Sequence, residues 1–355
     1  RGRERMNVLS TYLSRFYKFF RGEIFVLPSR TTVLLLCLFL LIFPLISPND
    51  FTLRVLIIAS IYAIFAASWD LLSGFTGQIN FGHAIFFGVA AYTAGLLNYN
   101  LGLAPWATIP IGALAAVLVG LIIGIPCLRL RGTYLAFATL AFPLILLGII
   151  QAIPNITYGE LGIPRVDPLA GSRVATYYIV FPSMIVLGFI MWKIADSKIG
   201  LVFHAIREDE VTARASGINT TRYKLLAFCL SGLFAGIAGG LYAHFVNAGP
   251  STLELLLSFQ VIIWAVFGGI ATIYGPIAGV FILYPLQKIV LTRYLGVPAE
   301  LTMLIFAFIV LIVLLFMPQG LITWLRDKTE KICPRCKLQN VATRSECRVC
   351  TAELD

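Results

Sequence analysis

The chain has 355 residues, 59% of them hydrophobic and only 12% charged, with a net charge of +10 and a mean hydropathy of +0.89. Soluble domains average roughly 45–50% apolar and about 25% charged residues, because their own surface must stay polar. Those values exclude a soluble enzyme, a disordered tail and a secreted disulfide scaffold, and leave a polytopic membrane protein with basic soluble ends.

Residues 1–30 open the chain with a basic amphipathic segment. Leu9, Leu13, Phe16 and Phe20 share one helical face, and Arg15, Lys18 and Arg21 share the other. The pattern suits a helix lying in the cytoplasmic interface, its cations on anionic headgroups, or else a plain basic leader. The cations interrupt any apolar core, so a cleavable signal peptide is not expected.

A membrane-crossing helix needs about 20 mostly apolar residues. Ten runs qualify: 32–48, 53–70, 79–97, 106–126, 132–151, 176–194, 224–246, 257–273, 275–291 and 299–317. The eighth and ninth are either one long broken helix or a tight hairpin. The expected fold is an all-α transmembrane bundle of about ten spans over residues 31–325, with a small zinc-ribbon-like tail at 331–355. Ten spans put both termini and the 196–224 loop on one side. All of the 27 Lys and Arg except Arg54, Arg165, Arg173, Lys288 and Arg293 then fall on that side. The positive-inside rule assigns it to the cytoplasm of a multi-pass plasma-membrane protein. The excess charge thus orients the bundle, and nothing suggests a nucleic-acid groove.

Three glycine-rich stretches break the apolar runs. The first, Ser73–His83, carries Gln78, Asn80 and His83 at the start of the third run. Polar groups at membrane depth face a bundle interior or a water-filled pathway, which makes these three the candidate substrate-pathway residues. The alternative is a re-entrant turn whose side chains hydrogen-bond one another. In the second, Gly232, Gly236, Gly239 and Gly240 read as a helix-packing face. The third, Gly268–Pro276, reads as a turn with Pro276 opening the next helix. The few ionisable residues near the spans, Asp70, Glu254 and Glu300, form no proton relay. His83, His204 and His244 are scattered and suggest no catalytic constellation.

The 196–224 loop is the longest polar stretch between spans. Residues 203–217 suit a short helix stopped by Gly217, with Glu210 and Arg214 paired at i,i+4 and Asn219 or Thr220/Thr221 capping the next helix. Such a loop is either a docking surface or an ordinary solvated helix. No glycine precedes a lysine anywhere, so the chain has no phosphate-binding GxxxxGK[ST] loop and any ATP must be bound by another polypeptide.

Gly74–Leu97 (GFTGQINFGHAIFFGVAAYTAGLL), Leu130–Phe142 (LRGTYLAFATLAF), Ile206–Ala227 (IREDEVTARASGINTTRYKLLA), Val266–Pro276 and Phe316–Leu321 (FMPQGL) resemble, in order, the LivM-type permease subunit of branched-chain amino acid ABC transporters. The family includes permeases for urea and short amides. The resemblance implies a non-enzymatic subunit of an ATP-driven importer. Its expected partners are a homologous second permease, two cytoplasmic ATPase subunits, an extracytoplasmic solute-binding protein and the lipid bilayer. It also implies that the loop carrying His204, Arg207, Glu208, Glu210, Arg214 and Gly217 couples to the ATPase, although its spacing departs from the common EAA pattern. A stand-alone channel or carrier, or a membrane sensor, are the rival readings.

The tail departs from the family. Cys333-x-x-Cys336 and Cys347-x-x-Cys350 can place four thiolates tetrahedrally around one structural Zn²⁺, with no open position for chemistry; chance thiols or a redox pair are the alternative. A segment this short cannot build a core without a metal, so its folding is expected to depend on zinc.

Overall fold

The computed structural model describes residues 38–45, 49–127, 130, 132–317, 319–332 and 339–341. It divides into two units, Pro48–Leu321 and Arg1–Ser47 with Ile322–Asp355. The amphipathic segment at 1–30 and all four tail cysteines lie outside the described residues.

The described residues of the larger unit form helices joined by turns and irregular links. Its α-helices of six or more residues are, in chain order, α1 (Asp50–Trp69), α2 (Ala84–Leu101), α3 (Pro105–Cys127), α4 (Thr133–Ala152), α5 (Arg173–Ala195), α6 (Lys198–Glu208), α7 (Glu210–Ala215), α8 (Thr220–Val246), α9 (Leu255–Gly268), α10 (Tyr274–Pro285) and α11 (Ala299–Phe316). Two of these run on as π-helix, α1 through Asp70–Gly74 and α10 through Leu286–Tyr294.

Among the described residues, eight helices are long and apolar enough to cross a membrane, against the ten expected. The difference has two sources. Of the first run, only part of residues 32–48 is described. The eighth run forms α9, which has 14 residues and ends at Gly268. The chain then turns through residues 269–273 and returns as α10, packed against α9. The eighth and ninth runs are therefore two helices in a hairpin.

Helix α1 is apolar on every side, and a helix of that kind belongs in the middle of a bundle. It packs against α5, α8, α9 and α10, and is buried from Val55 to Trp69. Helices α3, α4 and α5 instead present Leu118, Ile122, Tyr134, Phe137 and Phe189 outward, as expected of a lipid-facing surface. The glycines of α8 act as the packing face they suggest. Gly236 lies against Ala113 and Ala116 of α3, and a Cβ on Gly239 would collide with the Phe87 carbonyl of α2.

In the smaller unit, α12 (Leu321–Thr329) leads into an antiparallel ladder of β1 (Glu330–Ile332) and β2 (Gln339–Val341), in register Glu330↔Val341 and Ile332↔Gln339. Leu321 itself falls in the larger unit.

Candidate coupling and pathway site

The link between α1 and α2 is irregular but fully organised. Past the π turn, Thr76 Oγ1 donates to Leu72 O at 2.6 Å, and the helix ends at Gly77, whose φ is +71°. Residues 78–82 then fold back onto α1. Trp69 Nε1 donates to Asn80 O at 2.8 Å, and Asn80 N–H donates to Ser73 Oγ at 3.2 Å.

Gln78, Asn80 and His83 are 4%, 2% and 0% exposed. Asn80 and His83 share one hydrogen-bonded network. Asn80 Oδ1 accepts from Gly82 N–H at 2.8 Å. Ser68 Oγ donates its single proton to Phe65 O at 2.7 Å, so it must accept from His83 Nε2 at 3.0 Å. That fixes the Nε2–H tautomer and leaves Nδ1 to accept from Asn80 Nδ2 at 3.5 Å. Helix α8 joins through Ser231 Oγ, which donates to Ser68 O. Phe81 N–H donates to Thr139 Oγ1 of α4, and Ala84 N–H, at the open start of α2, donates to Ser258 Oγ of α9. Four small hydroxyls in apolar helices thus hold the segment, and sequence reasoning named none of them. Gln78 differs: its amide nitrogen donates to Thr76 Oγ1 at 3.3 Å, while its buried Oε1 has no protein partner.

Asp70 is the larger omission. It is fully buried, and its carboxylate accepts three consecutive backbone N–H groups from the α9–α10 turn. Ala271 donates to Oδ1 at 2.7 Å, and Thr272 and Ile273 donate to Oδ2 at 3.0 and 3.2 Å. The turn needs that support, because Ala271 has φ +61° and Ile273 φ +41°. Non-glycine residues held in such regions cost about 1–3 kcal/mol each and persist only where their surroundings enforce them. The partners lie some 200 positions apart, and no local pattern announces the contact.

The 196–224 loop is two helices rather than the single one expected. Asp209 breaks the run by turning extended and accepting Val211 and Thr212 N–H on its own side chain, so it caps α7. The Thr212 hydroxyl, which donates to the same carboxylate, and then these backbone bonds hold its carboxyl below the usual carboxylate range. Gly217, at φ +84°, ends α7, with Ile218 N–H returning to Ala213 O. Asn219 Oδ1 caps α8 through Arg222 N–H.

Of the proposed coupling residues, Arg207, Glu208 and Arg214 are exposed. Glu210 forms the i,i+4 pair with Arg214 at 2.9 Å and also binds Lys224 of α8 at 2.6 Å. Helix α6 buries Phe203 and Ile206 and lays the half-buried His204 ring 5.0 Å from Phe75. Burial, then the nearby Arg207 charge, pushes the His204 pKa down. The Gly77 backbone rests on the Arg207 stem, where an added Cβ would stand 3.4 Å from Cγ. The irregular segment, the α9–α10 turn and α6 thus meet at one end of the bundle.

Residues 51–314 match the family described as "Branched-chain amino acid transport system / permease component". The chain belongs to that permease family. It is 30% identical over 329 residues to the high-affinity branched-chain amino acid transport system permease protein LivM of Escherichia coli strain K12, covering 83% of this chain and 74% of that protein. The corresponding LivM of Salmonella typhimurium is 29% identical over 320 residues, with 81% and 72% covered. A probable branched-chain amino acid transport permease protein LivH of Methanocaldococcus jannaschii is 27% identical over 234 residues, with 62% and 74% covered. No solved structure matches the chain. The permease match holds Asp70, the 78–83 segment and α6–α7, and ends before the four tail cysteines.

Proposed function

We propose that this permease is the membrane-spanning subunit of an ATP-driven importer of branched-chain amino acids or a related small polar solute such as urea or a short amide. The names of its relatives support branched-chain amino acids as the substrate class. In this reading it pairs with a homologous second permease over two cytoplasmic ATPase subunits and receives solute from an extracytoplasmic binding protein. Ten crossings leave both termini in the cytoplasm. ATP is hydrolysed on the partner chains, and α6–α7 is the surface they push.

The observation that carries the proposal is the seating of α6: His204 on Phe75 and Arg207 on Gly77 connect an exposed charged surface directly to the end of the central helix. Along the pathway, Asn80 and His83 hold the irregular segment. Gln78 Oε1, lacking a protein partner, is the group left to meet solute. Purification of the tagged permease from its native membrane with mass spectrometry tests the assembly, which should contain two ATPase chains and a second permease. A stand-alone carrier would purify alone and transport in liposomes without them, and a sensor would show no solute flux.

We also propose that Cys333, Cys336, Cys347 and Cys350 bind one structural zinc ion. The spacing of the two Cys-x-x-Cys pairs, in a chain with few other cysteines, supports it. One equivalent of zinc by elemental analysis, lost when all four are replaced by Ser, is the expected result.

A further inference from the structure

We propose that Asp70 is a positioning residue that latches the α9–α10 turn to the segment on which the coupling helix α6 sits, so that movement of α6 is passed to the hairpin. The proposal rests on the importer reading above.

Two contacts place the latch in the line of transmission. On one side, Phe75 and Gly77 touch His204 and Arg207 of α6 only five and seven residues beyond Asp70. On the other side, both carboxylate oxygens are committed to the amides of Ala271, Thr272 and Ile273. Between them lies a π turn, which is a less regular stretch than the helix it extends. Gly74 closes that turn without a side chain, and a Cβ there would collide with Asp70 Oδ1 and stand 2.9 Å from Ala271 N. The backbone of the turn therefore approaches as closely as the chain permits.

A carboxylate presents acceptors on both oxygens, and the three N–H groups that face it are all donors, so the match is one of charge as well as shape. An amide side chain would keep one acceptor and turn an NH₂ group toward donors. The hairpin would then lose its fixed attachment while α6 kept its own seat. A residue that only stabilised the fold would lower the amount of complex, and what complex remained would transport normally.

The test uses the whole complex in proteoliposomes, measuring solute taken up per ATP hydrolysed. Asp70→Asn should leave ATP hydrolysis within about twofold of the wild type while uptake per ATP falls about tenfold or more, the loss expected when charged hydrogen bonds are removed. Combining it with Phe75→Ala should lose little beyond the larger single effect, because both variants interrupt one path. Should Asp70→Asn fail to assemble, Asp70→Glu, which keeps both oxygens but displaces them, should show the same fall in uptake per ATP. A wild-type ratio in an assembled Asp70 variant would overturn the proposal alone. Absence of ATP-dependent uptake by the wild type would overturn the importer reading, and the proposal with it.

Discussion

The Glu210 carboxylate joins the loop to the membrane helix that follows it: Lys224 Nζ of α8 lies 2.6 Å from Oε2, while Arg214 of α7 holds Oε1 at 2.9 Å. The two bridges differ in worth. Arg214 is exposed and contributes little, whereas the Lys224 side chain is 11% exposed and depends on its partner.

Glu210→Ala should therefore cost about 1–3 kcal/mol, between the values for exposed and buried pairs, and Arg214→Ala under about 1 kcal/mol. Thermal unfolding of the purified permease checks the ranking. Equal effects would show that the Lys224 bridge is no stronger than a surface pair.

The buried network distinguishes pathway from scaffold within one motif. His83→Ala leaves Ser68 and Asn80 without their partner and opens a cavity, at a cost of about 2–4 kcal/mol. Gln78→Leu removes an oxygen that has no protein partner and one long hydrogen bond to Thr76, so it should cost no more than about 1 kcal/mol. Uptake should nonetheless fall in Gln78→Leu. Unchanged uptake kinetics would remove Gln78 from the pathway.

Close helix approach gives a third expectation. Gly239 faces the Phe87 carbonyl with no room for a Cβ, so Gly239→Leu should prevent α8 from packing on α2. The variant should be lost to aggregation on detergent extraction, while Leu118→Ala on the outward face should extract normally.

The seating of α6 should depend on pH. His204 has its pKa lowered by burial, so the unfolded or unseated chain binds a proton that the seated one resists. Stability rises with pH wherever the open state holds more protons. The seat is therefore fully stable above the ordinary histidine value of about 6.5 and weakens as pH falls below it. Asp209 adds a second, lower window, because its depressed pKa gives stability that is lost only as the carboxylate protonates. Hydrogen exchange of α6 between pH 5 and 8 checks the first window, and His204→Phe should flatten it.

Much of this architecture is legible in the sequence, and the reason is physical. A span of about 20 apolar residues carries its own signal, so α1 to α5, α8, α10 and α11 stand near the expected runs. Capping chemistry is also local, which is why Asn219 and Gly217 fall where their residue types suggest. The π turn at 70–74 is not legible, because it continues an apolar helix without any change of residue pattern, and Asp209 sits inside a run of acids that reads equally well as an unbroken helix. Least legible of all was Asp70. Read alone it is an acid at the end of a span, and only the fold brings it to Ala271, Thr272 and Ile273.

Reconstitution of the permease with its co-purifying ATPases and binding protein in proteoliposomes, followed by uptake of labelled leucine, tests the central claim most directly. The account predicts accumulation that requires ATP and is abolished when α6–α7 loses Arg207, Glu208 and Arg214 to Ala. Uptake of the same size without ATP, or with those three residues replaced, would contradict it.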